Sequence, residues 1–500
     1  MKTALFLLAS LCVYWTQAIA AEAPNIVLLM SDDHGWEETG YNGHPHVQTP
    51  VLDQMAASGL RLDRFRSAHP SCSPTRASFL TGRHPNRMGT FTPGCSLRPE
   101  EITLAHILSQ AGYRSGHFGK WHLGAVKKAS PVNPGAMGFH TWVSHDNFFE
   151  LNPSLSRNGE SPEVFPGEGS EVIVREAIEF IAGARKDNKP FLAVIWFGSP
   201  HEPYQGLPAD LALYDDLPAM YSAKKVKLTS METGLPVRRP LGEVLRERYA
   251  EITAMDRAIG QLRDYLAAQG LRQDTLLFYC GDNGTSPDAS LASPHRGVKG
   301  KVYEAGTLVP GIIEWPARIR QPRTSDVHAT TSDLLPTLCS LTSQPLPNRP
   351  LDGIDLTPLI EGRMTQRPGP IHLWQYEVKR MEVLSAEPYI DPKLQEGTTP
   401  LNKVAKGKAT RDFRNYRHPG PIAEADFLGA RAIIDGRYKL VIHENAKGDP
   451  TRELFDLDSD PGEKNNVIAR HPAVGTKLQH SLRAWQSSVL QSLVGKDYRK

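Results

Sequence analysis

The sequence is short of cysteine, of net charge and of long apolar runs, and each shortage excludes something. Five cysteines in 500 residues are too few for a disulfide scaffold, so the chain must draw its stability from a large core. Cys12 lies in the N-terminal apolar segment; among Cys72, Cys95, Cys280 and Cys339, at least one is unpaired if another has a chemical task. Lys and Arg number 57 against 55 Asp and Glu, a formal charge of +2. That balance gives the molecule no overall attraction to nucleic acid and makes any polyanion site a local one. With 41 Gly and 40 Pro, the composition is neither collagen-like nor wholly disordered. At about 100 to 200 residues per domain, the length suggests two or three structural units.

The longest apolar run, Ala4 to Trp15, follows Lys2 and precedes Ala18-Ile19-Ala20. A basic start, an apolar stretch and small residues at alternate positions mark a secretory signal peptide. It is read as residues 1–20 and implies export to a periplasmic or extracellular space. An uncleaved anchor is the alternative, but the run is shorter than the ~20 residues that span a bilayer. No membrane span is expected after cleavage. Leu11, where a lipoprotein would carry a small residue, argues against lipid attachment at Cys12.

Apolar runs of β type then alternate with helical patterns. Residues 25–30, 113–118, 191–197 and 275–280 read as strands buried on both faces. Residues 49–57, 99–110, 171–184 and 241–268 read as helices; in the last, Leu241, Leu245, Ile252, Met255, Ile259, Leu262 and Leu266 keep three-and-four spacing. Alternation of this kind predicts an α/β fold with a doubly wound, mostly parallel sheet over residues 21–345. Beyond Pro345, strand-like pieces at 371–376, 430–434 and 438–443 precede a turn-rich 456–466 and a helical 473–490. They predict a smaller antiparallel sheet with a terminal helix over 346–500, interrupted by a long polar insertion near 377–426.

Each of the four buried strands runs directly into polar residues: Asp32-Asp33-His34, then Lys120 and His122, then His201, then Asp282-Asn283. Ligands of open α/β sheets bind outside the carboxyl ends of the strands, so these groups are expected on one rim. Asp32, Asp33, Asp282 and Asn283 are hard oxygen ligands suited to Ca²⁺ or Mg²⁺ and poor for zinc; two solvated turns are the other reading. Lys120 and His122 share a face of an extended segment. With Arg76 and Lys299 they make an anion pocket suited to a tetrahedral oxyanion, whereas each alone reads as a solvated side chain, and His201 alone as structural.

The stretch Cys72-Ser73-Pro74-Thr75-Arg76, followed by Leu80-Thr81-Gly82-Arg83, resembles the signature of the formylglycine-dependent, arylsulfatase-like sulfatases. A helix start with Pro near its first turn accounts for Pro74 and leaves the remainder unexplained. The resemblance spans nearly the whole mature chain: residues 25–36, 119–124, 199–204, 281–284, 299–304 and 453–461 each match a family element. Ala305 stands where the family often has Gly, and nothing aligns over 377–426.

The resemblance implies an alkaline-phosphatase-like fold and an exported sulfuric ester hydrolase. It implies that Cys72 is oxidised to formylglycine by formylglycine-generating machinery, and that Asp32, Asp33, Asp282 and Asn283 hold Ca²⁺, with Mg²⁺ as a substitute. Arg76 and Lys120 would steady the formylglycine. Lys299 and His201 would bind sulfate and protonate the leaving alcohol, and His122 would take a proton as sulfate is expelled. The expected substrate is a sulfated carbohydrate. The rival readings are a phosphatase or phosphonate monoester hydrolase of the same superfamily and a non-catalytic glycan-binding relative. Residues 403–417, with Lys403, Lys406, Lys408, Arg411, Arg414 and Arg417 around Phe413 and Tyr416, read either as a solvated loop or as a strip that holds a sulfated polymer.

Overall fold

The computed structural model describes residues 23–498 apart from 150, 231–234, 292, 401–411 and 444–449. The expected signal segment and the basic residues Lys403, Lys406, Lys408 and Arg411 therefore lie outside the described residues. A ten-stranded sheet organises nearly the first two thirds of the chain. At its centre five parallel strands lie in the order β5, β1, β4, β2, β3: β1 is Asn25–Ser31, β2 Arg114–Lys120, β3 Thr141–His145, β4 Phe191–Trp196 and β5 Thr275–Gly281. Shorter strands, some antiparallel, extend both edges.

Side chains alternate across a strand, and β1 shows why its run is apolar throughout. Ile26, Leu28 and Met30 enter the layer formed with α1 (Cys72–Thr81), while Val27 and Leu29 enter the opposite layer with α2 (Gly169–Lys186) and α3 (Leu241–Ala268). Each such aliphatic side chain contributes about 1.5–3 kcal/mol on burial. The doubly wound, mostly parallel class expected from the sequence is the class observed. The helix expected from Pro99 begins instead at Leu104, because Thr103 caps it with its side chain on the His106 amide at 3.3 Å.

The second sheet is antiparallel, in the order Ile371–Trp374, Arg431–Asp435, Tyr438–His443, Thr451–Asp456. α4 (Pro472–Leu493) packs Leu478 and Leu482 against Leu440, Ile442 and Leu454 of that sheet. Among the described residues no disulfide forms, Cys72, Cys95, Cys280 and Cys339 all being buried, and no described helix is long and apolar enough to cross a membrane.

Lys439 of the small sheet reaches across to Glu304 at 2.8 Å, and Arg66 holds the same carboxylate with its Nε at 3.1 Å. Burial pushes Glu304 up, but Arg66 and Lys439 outweigh it and hold the carboxyl well below the usual range. A depressed native pKa stabilises above the unfolded value, about 4.3 for Glu, and that stabilisation is lost as pH falls through the native value. Glu304→Gln is therefore expected to cost about 3–5 kcal/mol at pH 7, as removal of one partner from a buried pair does. Thermal unfolding of variant and wild type should show the gap at neutral pH and its narrowing in acid. A gap of constant size over the whole acid range would contradict the assignment.

Candidate active site

Parallel register builds the centre of the site. Ser31 of β1 lies opposite Gly281 of β5, so Asp32 and Asp282 leave the sheet side by side. The Asp33 amide donates to Asp282 Oδ1 at 2.9 Å, and Asn283 Nδ2 donates to Asp33 Oδ1 at 2.8 Å. β2 ends on Lys120, whose ammonium pairs with Asp32 Oδ2. The loop after β4 brings His201 Nε2 to 3.8 Å from Asp33 Oδ2.

Cys72 opens α1 in full burial, where the unpaired N–H groups and dipole of a first helical turn favour negative charge. Its Sγ is 3.9 Å from Asp33 Oδ1. Arg76, one turn later, puts Nη2 2.8 Å from Asp282 Oδ2 and 3.6 Å from Asp32 Oδ1, and its guanidinium lies 5.0 Å over the Trp196 ring. Lys299 Nζ meets the two oxygens of Asp33 at 2.6 and 2.7 Å. His122 is buried just beyond Lys120, its amide on the Asp146 carbonyl at 3.1 Å and its ring 6.1 Å from that of Phe413. Asp33 and His122 adopt left-handed φ values of 66° and 55°, conformations that non-glycine residues keep only where the surroundings enforce them.

The electrostatics of this cluster are mixed. Burial pushes Asp32 up, yet Lys120, His201, Arg76 and Lys299 together hold it well below the usual carboxylate range. Asp282 responds the other way: burial and the neighbouring Asp32 push it up to about 7. Burial pushes the Cys72 thiol up as well, which keeps it neutral and a poor nucleophile in unmodified form. Burial brings His201 down to about 4, partly opposed by Asp32; its Nδ1 is hydrogen-bonded to the Glu202 carbonyl, so the neutral ring carries its proton there.

Three crowded carboxylates call for a cation, and two acceptors are placed to receive one. Asp32 Oδ1 and Asn283 Oδ1 are both buried with no hydrogen-bond partner. Asp32, Asp33, Cys72 and His201 each place one ligand atom within 4.8 Å of the others, a grouping that Asp282 joins through Arg76 and the Asp33 amide. The oxygen-rich donor set fits a hard divalent cation. Beside Lys299 opens a cavity of about 570 Å³, lined by His69, Ser71, Phe91, Gln375, Tyr376 and Glu377 among others, in which Phe91 and Tyr376 stack at 4.6 Å.

Part of the rim's lining carries no signal in the sequence. Phe148 stacks on His201 at 4.5 Å and 15°, with Lys120 Nζ 5.9 Å from the same ring. Asp146 accepts the amides of Thr398 and Thr399 at 2.6 and 2.7 Å, which ties the polar insertion to the site. Both follow β3, whose Thr-Trp-Val-Ser-His sequence carries no continuous apolar signal. Within the described end of the basic stretch, Phe413 is buried and Arg414 donates its amide to the Gly94 carbonyl at 2.8 Å.

A profile of the Sulfatase family matches residues 24–344. The chain belongs to the sulfatase family. This sulfuric ester hydrolase is 32% identical to human arylsulfatase A over 93% of its own length and 87% of the relative's. It is 32% identical to the ulvan-active sulfatase of Formosa agariphila over 68% of its length and 65% of the relative's. Its fold matches the crystal structure of Ps i-CgsB in complex with k-i-k-neocarrahexaose, with a TM-score of 0.73, 20% identity and 94% of each chain covered.

Proposed function

We propose that this sulfatase is exported and removes sulfate from a sulfated carbohydrate, using Cys72 oxidised to formylglycine as nucleophile and calcium as its metal. The observation that carries the proposal is the placement of Cys72: a buried helix-opening residue beside Asp33, Arg76 and the carboxylate cluster. Hydrated, the aldehyde at position 72 supplies a hydroxyl that attacks sulfur. Asp32, Asp33, Asp282 and Asn283 would hold Ca²⁺, or Mg²⁺ in its place; when bound, it supplies divalent charge that polarises sulfate oxygens and lowers the cost of deprotonating the nucleophile.

The remaining steps belong to side chains. Arg76, fixed on Asp282, and Lys120, fixed on Asp32, steady the oxygens at position 72. Burial pulls Lys299 down, but Asp33 outweighs it and keeps the ammonium charged to bind the sulfate. As the S–O bond to the alcohol breaks, Lys299 gives the leaving oxygen its proton, and neutral His201, held flat by Phe148, lines the same side. His122 takes the proton released as sulfate departs. The cavity beside Lys299 leaves room for the alcohol portion. The names of the ulvan-active relative and of the neocarrahexaose complex point the same way, as does the signal-like N-terminus.

Matched sulfate and phosphate monoesters test the reaction class. The sulfate ester should be turned over with a kcat/KM orders of magnitude above that of its phosphate counterpart, because phosphate brings an extra negative charge beside the carboxylates. Preference for the phosphate or a phosphonate would replace this reading with the rival one.

A further inference from the structure

α3 carries a buried arginine that touches no reacting group yet reaches three of the loops around the site. Arg248 is fully buried, and each of its five N–H bonds has an acceptor. Nε and Nη2 hold the two oxygens of Glu38 at 2.7 and 2.6 Å; Nη2 also donates to the Asp33 carbonyl at 2.6 Å. Nη1 donates to the Pro200 carbonyl at 2.6 Å and the Tyr204 hydroxyl at 3.2 Å. Glu38 Oε2 in turn accepts from Thr285 Oγ1 at 3.0 Å. One ion pair thus spans the loop after β1, which bears Asp33, the loop after β4, which bears His201, and the loop after β5, which bears Asn283.

Charge neutralisation alone does not explain this arrangement. A buried pair seldom adds net stability over apolar packing, and Glu38 occupies only part of the guanidinium. Of the other three donors, one goes to the Tyr204 hydroxyl and two to backbone carbonyls, that of Asp33 in its left-handed conformation at φ 66° and that of the peptide that leads into His201. A lysine offers three donors on a flexible stem and has no fork to span these acceptors.

We propose that Arg248 is a positioning residue that sets the spacing of the metal-binding and leaving-group loops, acting with Glu38 as a clamp behind the active site. The inference rests on the calcium and nucleophile assignments above. Loss of such an outer partner lowers metal affinity or activity by about 10- to 100-fold in other metal sites.

Arg248→Lys, in the full-length enzyme, is the test. Calorimetric titration of metal-stripped protein with calcium should show affinity weakened by about tenfold or more. At saturating calcium, kcat on a small aryl sulfate should stay at least about tenfold low, because the His201 loop is displaced independently of the metal. Calcium affinity and saturated kcat equal to wild type, with only a lower Tm, would overturn the proposal and leave Arg248 a structural residue. Should Arg248→Lys fail to fold, Glu38→Gln carries the same two readouts: severalfold weaker calcium binding supports the clamp, and unchanged values overturn it. If the wild type itself binds no divalent cation, the metal assignment falls, and the kcat of the variant alone decides the role of Arg248.

Discussion

Cys72→Ala is expected to lower kcat by about four to six orders of magnitude, as loss of a nucleophile does in enzymes that depend on one, while leaving the fold and calcium binding intact. The asymmetry follows from what Cys72 touches. Its Sγ has one long polar contact, 3.9 Å to Asp33 Oδ1, and Ala deletes only a single sulfur atom. The carboxylates keep their own partners: Lys120 on Asp32, Lys299 on Asp33, Arg76 on Asp282. Turnover on an aryl sulfate, circular dichroism and calcium calorimetry measure the three consequences. Near wild-type turnover by the alanine variant would remove residue 72 from the chemistry.

Exhaustive chelation is the second large effect. It should abolish activity, with calcium restoring it best and magnesium less well, because the smaller ion demands a tighter octahedron than ligands from two strand ends provide. The ion should also stabilise: a ligand that binds only the folded state at 100 times its Kd adds about 2.7 kcal/mol. Without it, burial and the neighbouring carboxylates Asp32 and Asp33 push Asp282 up to about 7. Asp282→Ala should lose both activity and the calcium-dependent rise in Tm. Full activity after chelation, with no metal found by elemental analysis, would contradict the site.

Much of this was legible in the sequence, for physical reasons. Strands such as Phe191–Trp196 are buried on both faces and so read as unbroken apolar runs, and the polar residues that follow each run mark the rim. α3 spans the residues its periodicity predicts. What escaped notice lies where polarity hides burial. β3 is a central strand that mixes Trp142 and Val143 with Thr, Ser and His, Ser144 being satisfied by His117 Nδ1 at 2.8 Å, so Asp146 and Phe148 beyond it carried no positional signal. Arg248 left no trace: Tyr249 continues the three-and-four series between Leu245 and Ile252, so the charge beside it reads as solvated.

The proposed chemistry turns on the identity of residue 72. Mass spectrometry of the peptide containing that residue, taken from enzyme whose specific activity has been measured, tests it most directly. The expected result is an aldehyde in place of the thiol, in a fraction that tracks specific activity from one preparation to the next. Fully active enzyme carrying only unmodified cysteine at position 72 would contradict it.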